Sequence, residues 1–331
     1  MRIDDVRHAA DRIAGRVVRT PVLRLPELDA RLGATLHLKA ELHQLTGAFK
    51  IRGALNKLLS LAPEARSRGV VAASSGNHGQ AVALLAQMLT VPAVLVLPQD
   101  APAMKLEAVA RRGARIVTYD PVRDDRDAIT ARIAAEAGLA VLPSSDDPVV
   151  AAGHGTVALE LLAETGRLDR LVVPVGGGGL AAGCATVAKA LYPGIEVVGV
   201  EPADGDDTAR SLRAGHRVHV PAPTTLADGL RHQSPGRFTF EVNRKLVDRI
   251  ETVSDDEIAA AMGALWTHGR LMAEPTGAVA LAGVLARRPD ARGLRVGVVV
   301  SGGNVDSEVF RRIVAPHVGE QEAWAVPGAL R

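Results

Sequence analysis

The chain has 331 residues, 47% of them hydrophobic and 23% charged, with a formal net charge of only +2 and 2% aromatic residues. This is a globular composition with room for one large or two ordinary domains. It supplies neither the concentrated basic tract nor the stacking aromatics that nucleic-acid binding uses, and its single cysteine, Cys184, excludes an internal disulfide and agrees with a reducing compartment.

Arg2, Asp4, Asp5 and Arg7 precede any apolar run, so no signal peptide is expected and the chain reads as cytoplasmic. The first distinctive segment is Thr46-Gly47-Ala48-Phe49-Lys50-Ile51-Arg52-Gly53, which puts Lys50 at the start of a helix. A cation there opposes the helix dipole. It has a cause if a phosphate occupies a nearby helix N-terminus and the amine is held as an imine, which makes Lys50 a Schiff-base lysine.

From Val70 onward, short β-branched runs alternate with Ala/Leu-rich helical runs. Strands are expected at residues 93–97, 115–118, 139–142, 171–175, 197–200 and 296–300, a pattern of parallel sheet with helices on both faces. The most membrane-like stretch, residues 81–98, is interrupted by Gln87, Thr90 and Pro92 and reads as a helix followed by a buried strand, so no membrane partner is expected. Ile129 and Ile133, behind Asp124, Asp125 and Asp127, predict a one-sided surface helix with an acidic first turn. Residues 202–235, rich in Asp, Pro, Gly and His, read as a functional excursion, and residues 320–331 as a trailing tail.

Three strand ends carry turns of one chemical type: Ser74-Ser75-Gly76-Asn77-His78-Gly79, Gly176-Gly177-Gly178-Gly179 and Ser301-Gly302-Gly303-Asn304. Open α/β sheets bind ligands at these carboxyl ends, so one crevice is expected. The four glycines let backbone amides approach a phosphate in front of a helix. They also fit a dinucleotide pattern with Glu201 about 20 residues on, so a nicotinamide dinucleotide is a second reading. A noncatalytic phosphate- or nucleotide-binding protein would use the same loop. Ser74 and its neighbours could hold a carboxylate, or could simply cap a helix.

Taken together, the Lys50 segment, Ser74–Gly79, the tetraglycine and Ser301-Gly302-Gly303-Asn304 resemble the four signatures of fold-type II pyridoxal-phosphate enzymes, in the serine racemase and serine/threonine dehydratase branch. The similarity runs from about residue 19 to about residue 314. It implies a tryptophan synthase β-like fold of two three-layer α/β/α domains with open twisted sheets. Residues 1–67 and 146–331 would form the large domain, and 68–145 a small mobile one. It further implies a homodimer and a lyase using pyridoxal 5'-phosphate bound to Lys50.

Under that resemblance Phe49 lies against the cofactor ring and Asn77 on its phenolic oxygen. Gly176, Gly177, Gly178 and Gly179 hold the phosphate, and Ser301 meets the pyridine nitrogen. Ser74, Ser75, Asn77 and His78 hold the substrate carboxylate, and Ser75 matches the acid/base that serine racemases place opposite the lysine. Glu201, Gly205 and Asp207 match a site for Mg2+ (or Ca2+ or Mn2+), although an acidic loop is ordinarily just solvated. Arg126 matches an arginine that reaches the active site, where it would favour 3-hydroxyaspartate, while by itself it reads as a surface ion pair. Two departures are Ala48, where serine is usual, and His232, where serine or threonine is usual; His232 is ordinarily a surface residue, but could select the β-substituent or relay a proton. The expected activity is α,β-elimination from L-threonine or L-serine, with serine racemase second and 3-hydroxyaspartate dehydratase third.

Overall fold

The computed structural model describes residues 1–100, 107 and 109–318; the proposed tail at 320–331 lies outside them. Its strands in chain order are β1 (Val22–Leu23), β2 (Thr35–Ala40), β3 (Val70–Ala73), β4 (Ala93–Pro98), β5 (Arg115–Tyr119), β6 (Ala140–Val141), β7 (Arg170–Pro174), β8 (Glu196–Pro202), β9 (Arg249–Val253) and β10 (Arg295–Val300). They form a six-stranded sheet in the order β1-β2-β10-β7-β8-β9 and a four-stranded sheet in the order β5-β4-β3-β6. Every pairing is parallel except β1 with β2.

The central strands are buried on both faces, which is why they read as unbroken apolar runs. In β10, Val296, Val298, Val299 and Val300 are fully buried. One face of the six-stranded sheet packs on the Asp255–Gly269 and Pro275–Ala286 helices, the other on the Pro148–Thr165 and Gly179–Leu191 helices. The four-stranded sheet is covered by the Lys50–Ser60 and Asn77–Leu89 helices on one face and by Ile129 and Ile133 of the Arg126–Ala137 helix on the other. Both sheets are therefore the middle of a three-layer arrangement, the α/β fold-type II architecture expected from the sequence.

Local signals set several boundaries. Asp125 caps the Arg126–Ala137 helix by accepting from the amides of Asp127 and Ala128, and Gly138 ends it in the left-handed region. Residues 81–98 divide as expected into a helix ending at Leu89 and the buried strand β4. Among the described residues no helix is long and apolar enough to cross a membrane.

Three strands were not anticipated. β1 is two residues long, and β9 is an edge strand carrying Arg249 and Glu251, which pair with each other. β2 alternates polar and apolar residues yet is almost wholly buried. Its Lys39 is neutralised there by Glu160, 2.7 Å away, and donates to the Thr20 carbonyl at 2.6 Å.

Glu160 also anchors Arg52. This fully buried guanidinium pairs with Glu41 at 2.8 Å and with Glu160 at 2.7 Å. Two cations and two anions thus balance in the interior, and removing one partner of such a set costs about 3–5 kcal/mol. Arg52 lies on the first turn of the Lys50–Ser60 helix, so the cluster fixes the helix that presents Lys50.

Candidate active site

Lys50 is the first residue of its helix, as the sequence suggested. It is half-buried, and its amine lies deep enough for burial to lower its pKa to about 8. The amine donates to the Ser144 carbonyl at 2.8 Å and sits 5.1 Å from the centre of the Phe49 ring. That ring in turn meets His154 edge-on at 4.7 Å between centroids. The Phe49 amide donates to the Ser301 carbonyl at 3.1 Å, and Ala48 bridges Gly302, so the lysine segment is stitched to the end of β10.

The tetraglycine connects β7 to the Gly179–Leu191 helix, and all four glycines are buried. Gly178 has φ of +84°, and a side chain there would begin 2.7 Å from Asn243 Nδ2. Only glycine satisfies both demands. The His232 ring lies against this loop, its Cδ2 2.9 Å from where a Gly176 side chain would begin and its Cε1 3.1 Å from the corresponding point at Gly177. His232 therefore packs on the tetraglycine loop and is half-buried, not a residue of the outer surface. Burial, then the charges of Lys50 and Arg126, lower its pKa to about 4.

Arg126 itself is exposed and pairs with Asp127 at 2.9 Å. It is the surface ion pair anticipated on ordinary grounds, and yet its charge reaches His232.

The Ser74–Gly79 turn opens the Asn77–Leu89 helix, which no side chain caps. Its first amides are thus open to an anion. Ser74 and Ser75 are half-buried, and Ser74 Oγ accepts from the Gly76 amide at 3.2 Å. The His78 ring is turned inward: it is 3% exposed, with Nε2 2.9 Å from the Leu142 carbonyl. Burial and Lys50 hold its pKa at about 4, so the ring is neutral, and Nε2 donates to that carbonyl. Any contact of His78 with a substrate carboxylate falls to its backbone amide.

Asn77 is held by Asn304, the last residue of the Ser301 motif, and by Glu274, which the sequence did not single out. Its amide donates to Glu274 at 2.6 Å, and its carbonyl oxygen accepts from Asn304 at 2.8 Å. Asn304 also donates to the Thr46 carbonyl at 2.7 Å, which joins three of the four motifs. Ser301 is buried, with its hydroxyl 3.3 Å from the Thr276 carbonyl. His154 was missed as well; it is fully buried, and burial together with Lys50 pushes its pKa well down.

The acidic loop sorts its carboxylates. Asp204, exposed, accepts from the Thr224 hydroxyl at 2.8 Å, and half-buried Asp206 pairs with exposed Arg210 at 2.7 Å. Glu201 and Asp207 point inward and are fully buried, beside the buried Gly205. Glu201 accepts from the amides of Thr208 and Ala209 at 3.1 and 2.9 Å, whereas neither Asp207 oxygen has a partner. Burial, with Asp207 as neighbour, raises Glu201 to about 8, and burial with Asp206 raises Asp207 to about 7. Among the described residues no group of three or more His, Cys, Asp or Glu side chains is arranged around a metal. Two buried carboxylates side by side, with both Asp207 oxygens unpartnered, nevertheless have the chemistry of a hard-cation site completed by a carbonyl and water.

A lysine amine with a lowered pKa, an aromatic ring beside it, a tight glycine loop at a helix start and a buried strand-end hydroxyl define a site for a phosphorylated aldehyde cofactor. The family described as pyridoxal-phosphate dependent enzyme matches residues 13–302, and the chain belongs to it. It is a pyridoxal-phosphate-dependent enzyme, not a dinucleotide-binding or noncatalytic protein. It is 46% identical to an L-threo-3-hydroxyaspartate ammonia-lyase of Saccharomyces cerevisiae, over 94% of this chain and 95% of that one. It is 41% identical to a serine racemase of Schizosaccharomyces pombe, over 94% of this chain and 97% of the other. The structure of maize serine racemase superposes with a TM-score of 0.90 at 39% identity, covering 96% of this chain and 97% of that one.

Proposed function

We propose that the protein is a carbon–nitrogen lyase that converts a β-hydroxy amino acid to a 2-oxo acid and ammonia, with L-threo-3-hydroxyaspartate as substrate ahead of L-threonine and L-serine. The similarity to the yeast L-threo-3-hydroxyaspartate ammonia-lyase carries the substrate choice; the group this chain can offer a second carboxylate is Arg126, which pairs with Asp127 at the surface. A β-carboxylate can use a guanidinium through charge-assisted hydrogen bonds; the methyl of threonine and the hydrogen of serine cannot.

Pyridoxal phosphate, when bound, supplies an electron sink that acidifies the substrate α-proton. The glycine loop at 176–179 holds its phosphate, Phe49 its ring face, Asn77 its phenolic oxygen and Ser301 its ring nitrogen. A hydroxyl at that nitrogen does not enforce protonation, which favours loss of the β-hydroxyl. Lys50 anchors the cofactor and moves the α-proton at Nζ, a role its pKa of about 8 suits near neutral pH. The amides and hydroxyls of Ser74 to His78 bind the α-carboxylate. Glu201, Asp207 and the Gly205 carbonyl hold Mg2+, or Ca2+ or Mn2+. Residues 68–145 close as a small domain over the larger one formed by 1–67 and 146–331, excluding water. The protein acts as a cytoplasmic homodimer, a state that light scattering tests.

Ser75 supports a second activity, racemisation, because a hydroxyl on the face opposite Lys50 can return a proton there. Incubating the purified protein with L-threo-3-hydroxyaspartate, L-threonine and L-serine, and assaying 2-oxo acids and D-serine, decides between these readings. A higher kcat/KM for threonine or serine overturns the substrate choice, and absence of any 2-oxo acid overturns the lyase.

A further inference from the structure

Four consecutive residues, Ser144 to Asp147, meet the cofactor machinery at several points. The Ser144 carbonyl accepts from the Lys50 amine, and buried Ser145 packs beneath Gly177 and Gly179. Asp147 caps the Pro148–Thr165 helix through the amides of Val149 and Val150, and pairs with Lys57 at 2.6 Å. Asp146 does something different.

Its carboxylate reaches the Arg237–Leu246 helix, more than ninety residues along the chain, and accepts from the amides of Arg237, Phe238 and Thr239 at 2.8, 2.9 and 3.1 Å. These are orphan first-turn donors that a helix cannot satisfy by itself. The helix's own preceding residue, Gly236, supplies no side-chain cap, and a side chain there would begin 2.4 Å from Asp146 Oδ1. The cap therefore comes from a distant segment and requires glycine opposite it.

The same helix grips the tetraglycine. Thr239 Oγ1 donates to the Gly177 carbonyl at 2.7 Å, and Asn243 Nδ2 donates to the Gly178 carbonyl at 3.2 Å. In a planar trans peptide the carbonyl of one residue and the amide of the next point in opposite directions. Holding the carbonyls of Gly177 and Gly178 toward this helix therefore turns the amides of Gly178 and Gly179 away from it. These amides lie at the entrance of the Gly179–Leu191 helix, where an anion is favoured.

We propose that Asp146 is a positioning residue for the phosphate-binding loop: by capping the Arg237–Leu246 helix it fixes Thr239 and Asn243, and through them the direction in which the Gly178 and Gly179 amides face. The inference rests on the reading of residues 176–179 as the phosphate cradle.

The test compares two ligands of the full-length apoprotein, pyridoxal 5'-phosphate and pyridoxal, which share the aldehyde that reacts with Lys50 and differ in the phosphate. Wild-type protein should bind the phosphorylated form more tightly. Asp146→Ala should weaken that form roughly tenfold, the scale of a lost helix cap, and leave pyridoxal unchanged. Asp146→Asn, which keeps a capping oxygen, should restore most of the preference. Thr239→Val keeps the cap but removes the grip on Gly177, and should reproduce the phosphate-specific loss; it decides the matter if Asp146→Ala does not fold. An unchanged preference in these variants, or equal weakening of both ligands, overturns the proposal while the cradle stands. If wild-type protein itself shows no preference for the phosphorylated ligand, the cradle reading fails and the proposal with it.

Discussion

Chelation of the cation should make the stability of the cofactor-loaded protein fall as pH rises from 6.5 to 8.5. Glu201 and Asp207 are raised from 4.5 to about 8 and from 3.8 to about 7. A carboxyl with a raised folded-state pKa binds more protons folded than unfolded, so its contribution is full below the unfolded value and is lost as pH rises through the folded one. Over this window the two groups together lose roughly 2–3 kcal/mol. His78 and His232, lowered from 6.5 to about 4, and His154, pushed well below 6.5, act in the opposite sense: their unfolded forms are still half protonated at pH 6.5, so they return roughly 1 kcal/mol over the window and leave a net loss of about 1–2 kcal/mol. Lys50 does not titrate as an amine while it holds the cofactor.

Thermal melts should therefore drop by roughly 2 °C across the window in chelator. The drop should be absent with saturating Mg2+, because the cation replaces the protons. Glu201→Gln with Asp207→Asn should remove the drop without any cation. Identical pH profiles with and without the cation would refute the inward-facing pair as a cation site.

Lys50→Ala should abolish turnover and the covalent cofactor, checked by mass spectrometry after borohydride treatment. Reconstitution of the apoprotein should accelerate as pH rises through about 8, because only the unprotonated Lys50 amine attacks the aldehyde, and stopped-flow absorbance would show it. Arg126→Ala should lower kcat/KM for L-threo-3-hydroxyaspartate about tenfold, a discounted value for a half-exposed charge-assisted contact, and change that for L-serine little. Ser75→Ala should eliminate any D-serine formed from L-serine while elimination persists.

The part of the fold most legible in the sequence is the part whose burial is uniform. β4, β7, β8 and β10 are covered on both faces and read as apolar runs. β2 was unreadable for a specific reason: the pairing of Lys39 with Glu160 across 121 residues hides a charge that local pattern assigns to solvent. The same limit applied to the site. Lys50, the tetraglycine and Ser301 carry their chemistry in a few adjacent residues, whereas Glu274, Asn304, His154 and Asp146 act only through partners far along the chain.

By itself the sequence determined the chemistry available: a lysine at a helix start, a loop only glycine can form, and strand-end hydroxyls and amides. These follow from local backbone and side-chain properties, which neighbouring residues suffice to specify. Tertiary structure alone decided which of those groups face one another. It turned the His78 ring into the core and His232 onto the glycine loop, and it sorted Glu201 and Asp207 inward from Asp204 and Asp206. The physical reason is that burial and electrostatic partners set a side chain's role, and both come from residues that chain order does not bring together.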